Sequence, residues 1–418
     1  MEGHLVRAVA AAPGDRTGSG AGAAVSAGVG PATALDGTGR LRAAGRFGTA
    51  LAVTGALALS VGVVLAPERA WANVLLAGYA LTGLGLAGTF FVALTYASDA
   101  TWATAFRRVP ESMTRVLPAA AVVLGLLFVL HPSLYPWTLE DAAEVGGFKH
   151  LWLTTPFFLV RALLYFGVWI SFAAALVRNS RRQDEDGDAA WTRRNIRLSA
   201  IFLVLFALTC FLASVDWVMS LTPHWYSTMF GVYNFAGLFQ SGLATMILIV
   251  IWLRRAGPLR GVVHDDHLHD LGKLLFAFST FWMYIWFSQY MLIWYANIPE
   301  ETVYFIPRMQ GAWQPLMIVN LVLNWAVPLL ALMARPMKRH AGMLTKVALA
   351  VLVGRWLDLY LMILPTVSPA APPIGPSEIG AALLTAGLFL RVFTGAFQQA
   401  APVPVKDPFL SESLHYHS

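Results

Sequence analysis

Ten apolar runs recur along the chain, each close to the length that crosses the hydrocarbon core of a bilayer. They fall at 47–65, 71–95, 116–131, 151–177, 196–220, 227–253, 271–294, 313–334, 343–364 and 377–397. A membrane helix needs about 20 predominantly apolar residues. Backbone N–H and C=O groups find no partner in lipid, so such runs are expected as helices. The predicted class is an all-α integral membrane protein with ten transmembrane helices. Composition agrees: 57% of the 418 residues are apolar and 12% are charged, against about 25% charge in soluble domains. A soluble domain, a disordered scaffold and a disulfide-rich secreted module are all excluded.

The connections carry an asymmetric charge. On the side that holds the N-terminus, the loops and tails contain 21 Lys and Arg, from Arg7 through Arg107, Arg108, Arg193 and Arg339 to Lys406. The other side has 3, namely Arg69, Lys149 and Arg308. Cytoplasmic loops collect Lys and Arg, so both termini are expected in the cytoplasm, as an even number of spans requires. The net charge of +6 belongs to this pattern and does not imply nucleic acid. Residues 1–46, rich in Gly and Ala, read as a disordered cytoplasmic tail; residues 398–418 read as a cytoplasmic C-terminal tail. The outer loops 132–150, 221–226, 295–312 and 365–376 are rich in aromatics, Pro and acids, as a docking face or an interfacial aromatic belt would be.

Cys210 is the single cysteine. One thiol forms no intrachain disulfide and holds no iron–sulfur cluster. The absence of a Cys-x-x-Cys-His motif excludes covalently attached haem. Any redox metal must come from partners or from histidines.

Two spans share a signature. Asp216 in span five precedes Pro223, and Asp358 in span nine precedes Pro365, at the same spacing. Each acid is then roughly 10 Å inside its exit proline. The recurrence four spans apart points to parallel repeats, spans 2–5 and 6–9, with spans 1 and 10 outside them.

Charges inside the spans are the informative minority. An ionised group at mid-bilayer costs about 2.5–3.5 kcal/mol even on the lenient scale, so each needs a partner or a wet cavity. Arg161 is about 15 Å into span four, with Asp216 of the next span as its expected partner. Arg355 and Asp358 are i and i+3 and can pair on one face. Lys273 opens span seven. Asn234, Gln240, Gln289, Asn320 and Asn324 are neutral polar groups within spans. These residues fit either a proton relay or structural pairing between helices.

The stretch His264-Asp265-Asp266-His267-Leu268-His269-Asp270 has three readings. Its side chains suit a divalent metal, they could gather protons at a channel mouth, or Asp270 could simply cap the next helix at Leu271-Gly272-Lys273. On the outer side, Asp216 is followed by His224, Trp225 and Tyr226. An acid or imidazole to accept hydroxyl protons, beside aromatic walls, is what a quinol head group requires; an interfacial turn has the same composition. No phosphate-binding loop, dinucleotide fingerprint or hydrolase elbow occurs.

Two stretches carry a resemblance. One is Ser214-Val215-Asp216-Trp217-Val218-Met219-Ser220-Leu221-Thr222-Pro223-His224-Trp225-Tyr226-Ser227-Thr228. The other is Asp270-Leu271-Gly272-Lys273-Leu274-Leu275 with Phe287-Ser288-Gln289-Tyr290-Met291-Leu292-Ile293-Trp294-Tyr295-Ala296-Asn297-Ile298-Pro299-Glu300-Glu301. Together they resemble the smaller ten-helix membrane subunit of bacterial alternative complex III, a quinol:cytochrome c oxidoreductase, among the polysulfide-reductase-type membrane subunits. The resemblance covers about 47–400. It implies two four-helix bundles flanked by two peripheral helices in the bacterial inner membrane. It further implies a sister ten-helix subunit, an iron–sulfur subunit, multihaem and monohaem cytochrome c subunits and, downstream, a terminal oxidase. Quinol is placed in the sister subunit rather than here. This subunit is given a supporting role and a proton path, with lipids and no covalently bound cofactor. Asp216 and His224 carry over as motif positions. A quinol-oxidising anchor is the alternative. A secondary transporter is a further one, disfavoured because spans five, seven and nine lack mid-span Gly/Pro breaks.

Overall fold

The computed structural model describes residues 31–139 and 148–417, of which 31–36 and 150 by backbone alone. Among the described residues there are helices and turns and no strand. Ten long helices follow one another: α1 Pro31–Leu65, α2 Pro67–Ala97, α3 Arg108–Leu130, α4 Thr155–Asp186, α5 Ala190–Trp217, α6 Phe230–Ala256, α7 Asp265–Ala296, α8 Gly311–Ala331, α9 Ala341–Ile363 and α10 Pro376–Phe397. Each contains one predicted apolar run or most of it. Nine of them are long and apolar enough to cross a membrane, which makes this a multi-pass, all-helical membrane protein. The exception among the described helices is α7. It has the length and carries no Asp, Glu, Lys or Arg from residue 274 to 296. Its hydropathy is lowered by Trp282, Tyr284, Trp286, Gln289, Tyr290, Trp294 and Tyr295, side chains that pair apolar bodies with polar tips.

The helices outrun the apolar runs because helical backbone continues wherever side chains still pack. Thus α4 extends to Asp186, with Asn179, Ser180 and Gln183 buried, and stops at Gly187, whose φ of +76° suits glycine. The short third run continues back to Arg108 through a 3-10 turn at Thr114–Val116.

The predicted N-terminal tail is helical in part, and the predicted C-terminal tail is packed against the helices. Helix α1 begins at Pro31 rather than at residue 47, so residues 31–46 are helical; residues 1–30, with Arg7 and Arg16, lie outside the described residues. The C-terminal segment is packed. Asp407 forms a buried ion pair with Arg107, Ser413 accepts from Ala105 N–H at 3.0 Å and donates to Trp102 O at 2.7 Å, and a short helix, α11 Leu410–Leu414, seats the strap. Arg108 is also buried, against Glu111 and Asp184. Arg107 and Arg108 are therefore interior ion-pair members, although a loop count treats them as solvated.

Contacts run α2–α3, α3–α4, α4–α5 and α5–α2, then α6–α7, α7–α8, α8–α9 and α9–α6. Helix α6 also meets α2 and α5. Helices α1 and α10 lie antiparallel and very close. A Cβ on Gly48 would sit 2.8 Å from Arg391 N, and one on Gly380 3.0 Å from Gly55 O. Gly48 and Gly55 on α1 face Gly387 and Gly380 on α10, and Gly62 faces Ser377, a spacing that keeps small residues on one stripe and lets backbones approach as larger side chains would not.

Candidate functional site: two buried carboxylates and a polar line

Asp216 sits in the last turn of α5 and is 1% exposed. Arg161 of α4 reaches it with Nε at 2.8 Å and Nη2 at 3.0 Å. One turn on, Tyr165 donates its hydroxyl at 2.8 Å, and Trp152 donates its indole N–H at 2.8 Å. Both oxygens thus accept two bonds each. Arg161 Nη1 binds Trp152 O at 2.8 Å, and the guanidinium lies 4.1 Å from the Trp152 ring centroid. The expected Arg161–Asp216 pair is present, in the bidentate geometry that makes such pairs strong.

The group from Asp216 to Tyr226 divides. Asp216 is buried and saturated, while His224 and Tyr226 are exposed. Trp225 is buried, stacked on Tyr304 at 4.1 Å, with its indole N–H on Glu301 O at 3.0 Å. Trp225 thus fastens the α5–α6 connection to the α7–α8 connection.

Asp358 of α9 is the counterpart. It too is 1% exposed and accepts from one Arg, one Tyr and one Trp: Arg355 one turn back, Tyr233 of α6 and, at 3.3 Å, Trp282 of α7. Asn320 of α8 adds a donor at 3.1 Å. The chemistry matches that around Asp216, although the donors come from different helix positions. Gly237 leaves room for the Arg355 guanidinium, since a Cβ there would overlap it.

From Asp358 the polar contacts continue. Asn324 Nδ2 binds Asn320 Oδ1 at 2.7 Å; Gln240 Nε2 binds Asn324 O at 2.6 Å and Ser279 Oγ at 3.0 Å. Asn320, Asn324, Gln240 and Ser279 are all fully buried. The line depends on a defect in α8. Residues Val322–Ala326 form a π turn, and Pro328, four residues after Asn324, has no N–H to offer its carbonyl. That freed carbonyl is the one Gln240 takes. Such π turns recur at functional sites. The mid-span Asn-x-x-x-Pro of α8 is the signal by which this could have been found in the sequence. Gly354 completes the fit, since a Cβ there would lie 2.8 Å from Asn324 Nδ2.

Beside Asp358, toward the C-terminal end of α9, is a small cavity of ≈ 20 Å³, lined by Tyr233, Gln289, Arg308 and Asp358 among others. That volume holds about one water. Arg308, which a loop count treats as exposed, is 3% exposed and donates to Leu361 O at 2.8 Å and Met362 O at 2.9 Å. It caps the C-terminal end of α9, where a cation is favoured.

The histidine stretch opens α7. His264 is the N-cap, and its N–H donates to His267 Nδ1 at 3.1 Å. His267 Nε2 must then carry the proton, and it meets Ser413 O of the strap at 3.1 Å. Burial, with the His264 charge beside it, pushes His267 down to about 4. His269 is also pushed down, by burial and then by Lys273. Lys273 pairs with Asp270, which accepts from the Tyr416 hydroxyl at 2.6 Å. Among the described residues no group of three or more His, Cys, Asp or Glu is arranged to hold a metal ion. Helix α7 begins at Asp265, so its cap is His264 and not Asp270 as the sequence suggested; Asp270 lies one turn inside, held by Lys273 and Tyr416.

The strap's docking should depend on pH. His267 has a folded pKa below its ordinary 6.5, so the stability it lends is complete above about pH 6.5 and is lost as pH falls through 4. Amide exchange in residues 403–417 is expected to accelerate over that window in the wild type. In His267→Gln it should show no such transition; an unchanged transition would assign it to another group.

The chain was compared with known protein families and with curated proteins: no family model matches it, and no curated protein matches it.

Proposed function

We propose that this chain is a membrane subunit of a respiratory quinol:electron-acceptor oxidoreductase of the alternative complex III kind, and that its second helix group carries protons. The observation behind the proton path is Asp358, a buried carboxylate with a water-sized cavity beside it; the amide line from Asn320 through Asn324 and Gln240 to Ser279 holds it in place. A buried carboxylate is a proton donor and acceptor, and its line lies in a protein whose other buried groups are chiefly apolar. Intramembrane ionisable residues are expensive and mark such relays. Arg161 with Asp216, saturated on both oxygens, acts in this reading as an anchor between α4 and α5. His264, His267, His269 and Lys273 stand at the inner mouth.

In the same reading α7 is the tenth span, since it packs on α6 and α8 along with nine apolar neighbours. Helices α2–α5 and α6–α9 are two four-helix bundles, flanked by α1 and α10, with both termini in the cytoplasm of a bacterium. The redox centres reside on iron–sulfur and cytochrome c subunits, quinol meets the sister ten-helix subunit, and a terminal oxidase accepts the electrons. The test is isolation of the tagged full-length chain from its native membrane in mild detergent. Co-isolation of haem- and iron–sulfur-containing proteins with quinol-oxidising activity is expected. Recovery of the chain free of any haem protein would overturn the reading.

A further inference from the structure

Arginines from three helices gather at the end of the bundle where the C-terminal strap begins. Arg181 of α4 reaches across to the last turn of α10, donating to Ala396 O at 3.3 Å and to Gln399 Oε1 at 3.4 Å. Both bonds are longer than an N–H···O bond normally is. Arg178 is one turn before it on α4 and exposed. Arg391 of α10 runs along its own helix toward Gly395, where a Cβ would lie 3.0 Å from the Arg391 Nη1. Arg115, also exposed, stands in the 3-10 turn of α3 that packs on both α10 and α4. Of the charges acting on Arg181, that of Arg115 weighs most, and it repels.

The acids that attract Arg181 are already engaged. Glu111 and Asp184 both pair with Arg108. Among the described residues no carboxylate forms an ion pair with Arg115, Arg178, Arg181 or Arg391. The position says what kind of anion would complete the group. Helices α4 and α10 are both long and apolar enough to cross a membrane. Arg391 is about 22 Å along α10, and its side chain continues toward the helix end, as long cations do at the edge of a hydrocarbon core of about 30 Å. Leu388 and Val392, on the Gly395 face of α10, stay partly exposed beside it and offer an apolar strip to acyl chains. Guanidinium forks match phosphate oxygens in pairs. An acidic peptide would have to bring unpaired backbone to the lipid edge, where it is costly; a lipid headgroup is there already.

We propose that Arg115 and Arg181, with Arg178 and Arg391 beside them, bind the phosphate of an anionic lipid headgroup whose acyl chains lie along Leu388 and Val392. The inference rests on the membrane class of the fold and is independent of the respiratory reading.

The test is lipid binding to the full-length protein, washed free of lipid in mild detergent and read by native mass spectrometry. The probes are dioleoyl-phosphatidylglycerol, dioleoyl-phosphatidylcholine and inorganic phosphate. Phosphatidylglycerol is expected to bind more tightly than either of the others. Arg115→Gln with Arg181→Gln should raise its Kd at least about tenfold, the effect of losing one hydrogen bond to a charged group. Arg193→Gln with Arg197→Gln removes the same charge from exposed positions on α5 and should leave the Kd unchanged. Arg115→Gln alone, at an exposed position, should weaken binding in the same direction and carries the test if the double variant fails to fold. Equal binding of the two lipids, or equal weakening by the α5 pair, would reduce the group to diffuse positive charge and overturn the proposal. Inorganic phosphate bound as tightly as phosphatidylglycerol would overturn the lipid as its source. No arm reads proton or electron transfer, so this site and the respiratory reading stand or fall separately.

Discussion

Asp216→Ala is expected to lower the stability of the protein by about 3–5 kcal/mol, read as an earlier thermal unfolding transition in detergent. The cause is what stays behind. Arg161 keeps its charge in a site where it is 6% exposed, and Trp152 and Tyr165 lose their acceptor. Taking away one partner of a buried pair costs far more than taking away both. The double substitution Arg161→Met with Asp216→Leu should therefore recover most of the loss. Asp216→Ala unfolding with the wild-type midpoint would show that the pair does not anchor α4 to α5.

The second large effect concerns Asp358. Asp358→Asn with Arg355→Gln removes the carboxylate and the charge it balances together, so no unpaired ion is left. Asn keeps an acceptor for Tyr233 or Asn320 but exchanges no proton near neutral pH. On the proposed respiratory reading, proton translocation per electron, measured in vesicles containing the complex that co-isolates with the chain, is expected to fall at least about tenfold, since positioned proton transfer contributes about 10²–10⁴ in rate. Quinol oxidation should persist. Asp358→Glu, which restores an ionisable group, should return part of the translocation. A wild-type proton-to-electron ratio in the assembled double variant would take the path away from Asp358.

The two carboxylates were legible in the sequence because charge is so rare within the apolar runs. Partners one turn apart, such as Arg355 and Asp358, follow from helical periodicity alone. Arg161 for Asp216 was legible for a related reason: neighbouring spans must neutralise one another in lipid. The donors Tyr233, Trp282 and Asn320 were not legible as Asp358 partners. They come from three other helices, and nothing local to each records which neighbour it will face. The same holds for Asp407, which reads as a tail residue and is in fact the buried counter-ion of Arg107. In the sequence His267 is one of three histidines that could gather protons. Its neutral state follows from two contacts, one inside its own helix turn and one to the strap.

By itself the sequence determined the all-helical membrane class, the approximate positions of ten helices and the identity of the few charges within them. The reason is that lipid imposes its thickness and its lack of hydrogen-bonding partners on every span alike. Only the tertiary structure decided which helices meet. That choice directs the carbonyl freed above Pro328 to Gln240 and joins Asp358 to a line of amides. Those outcomes depend on side chains brought together from distant segments, whose partners are set by packing and not by local periodicity.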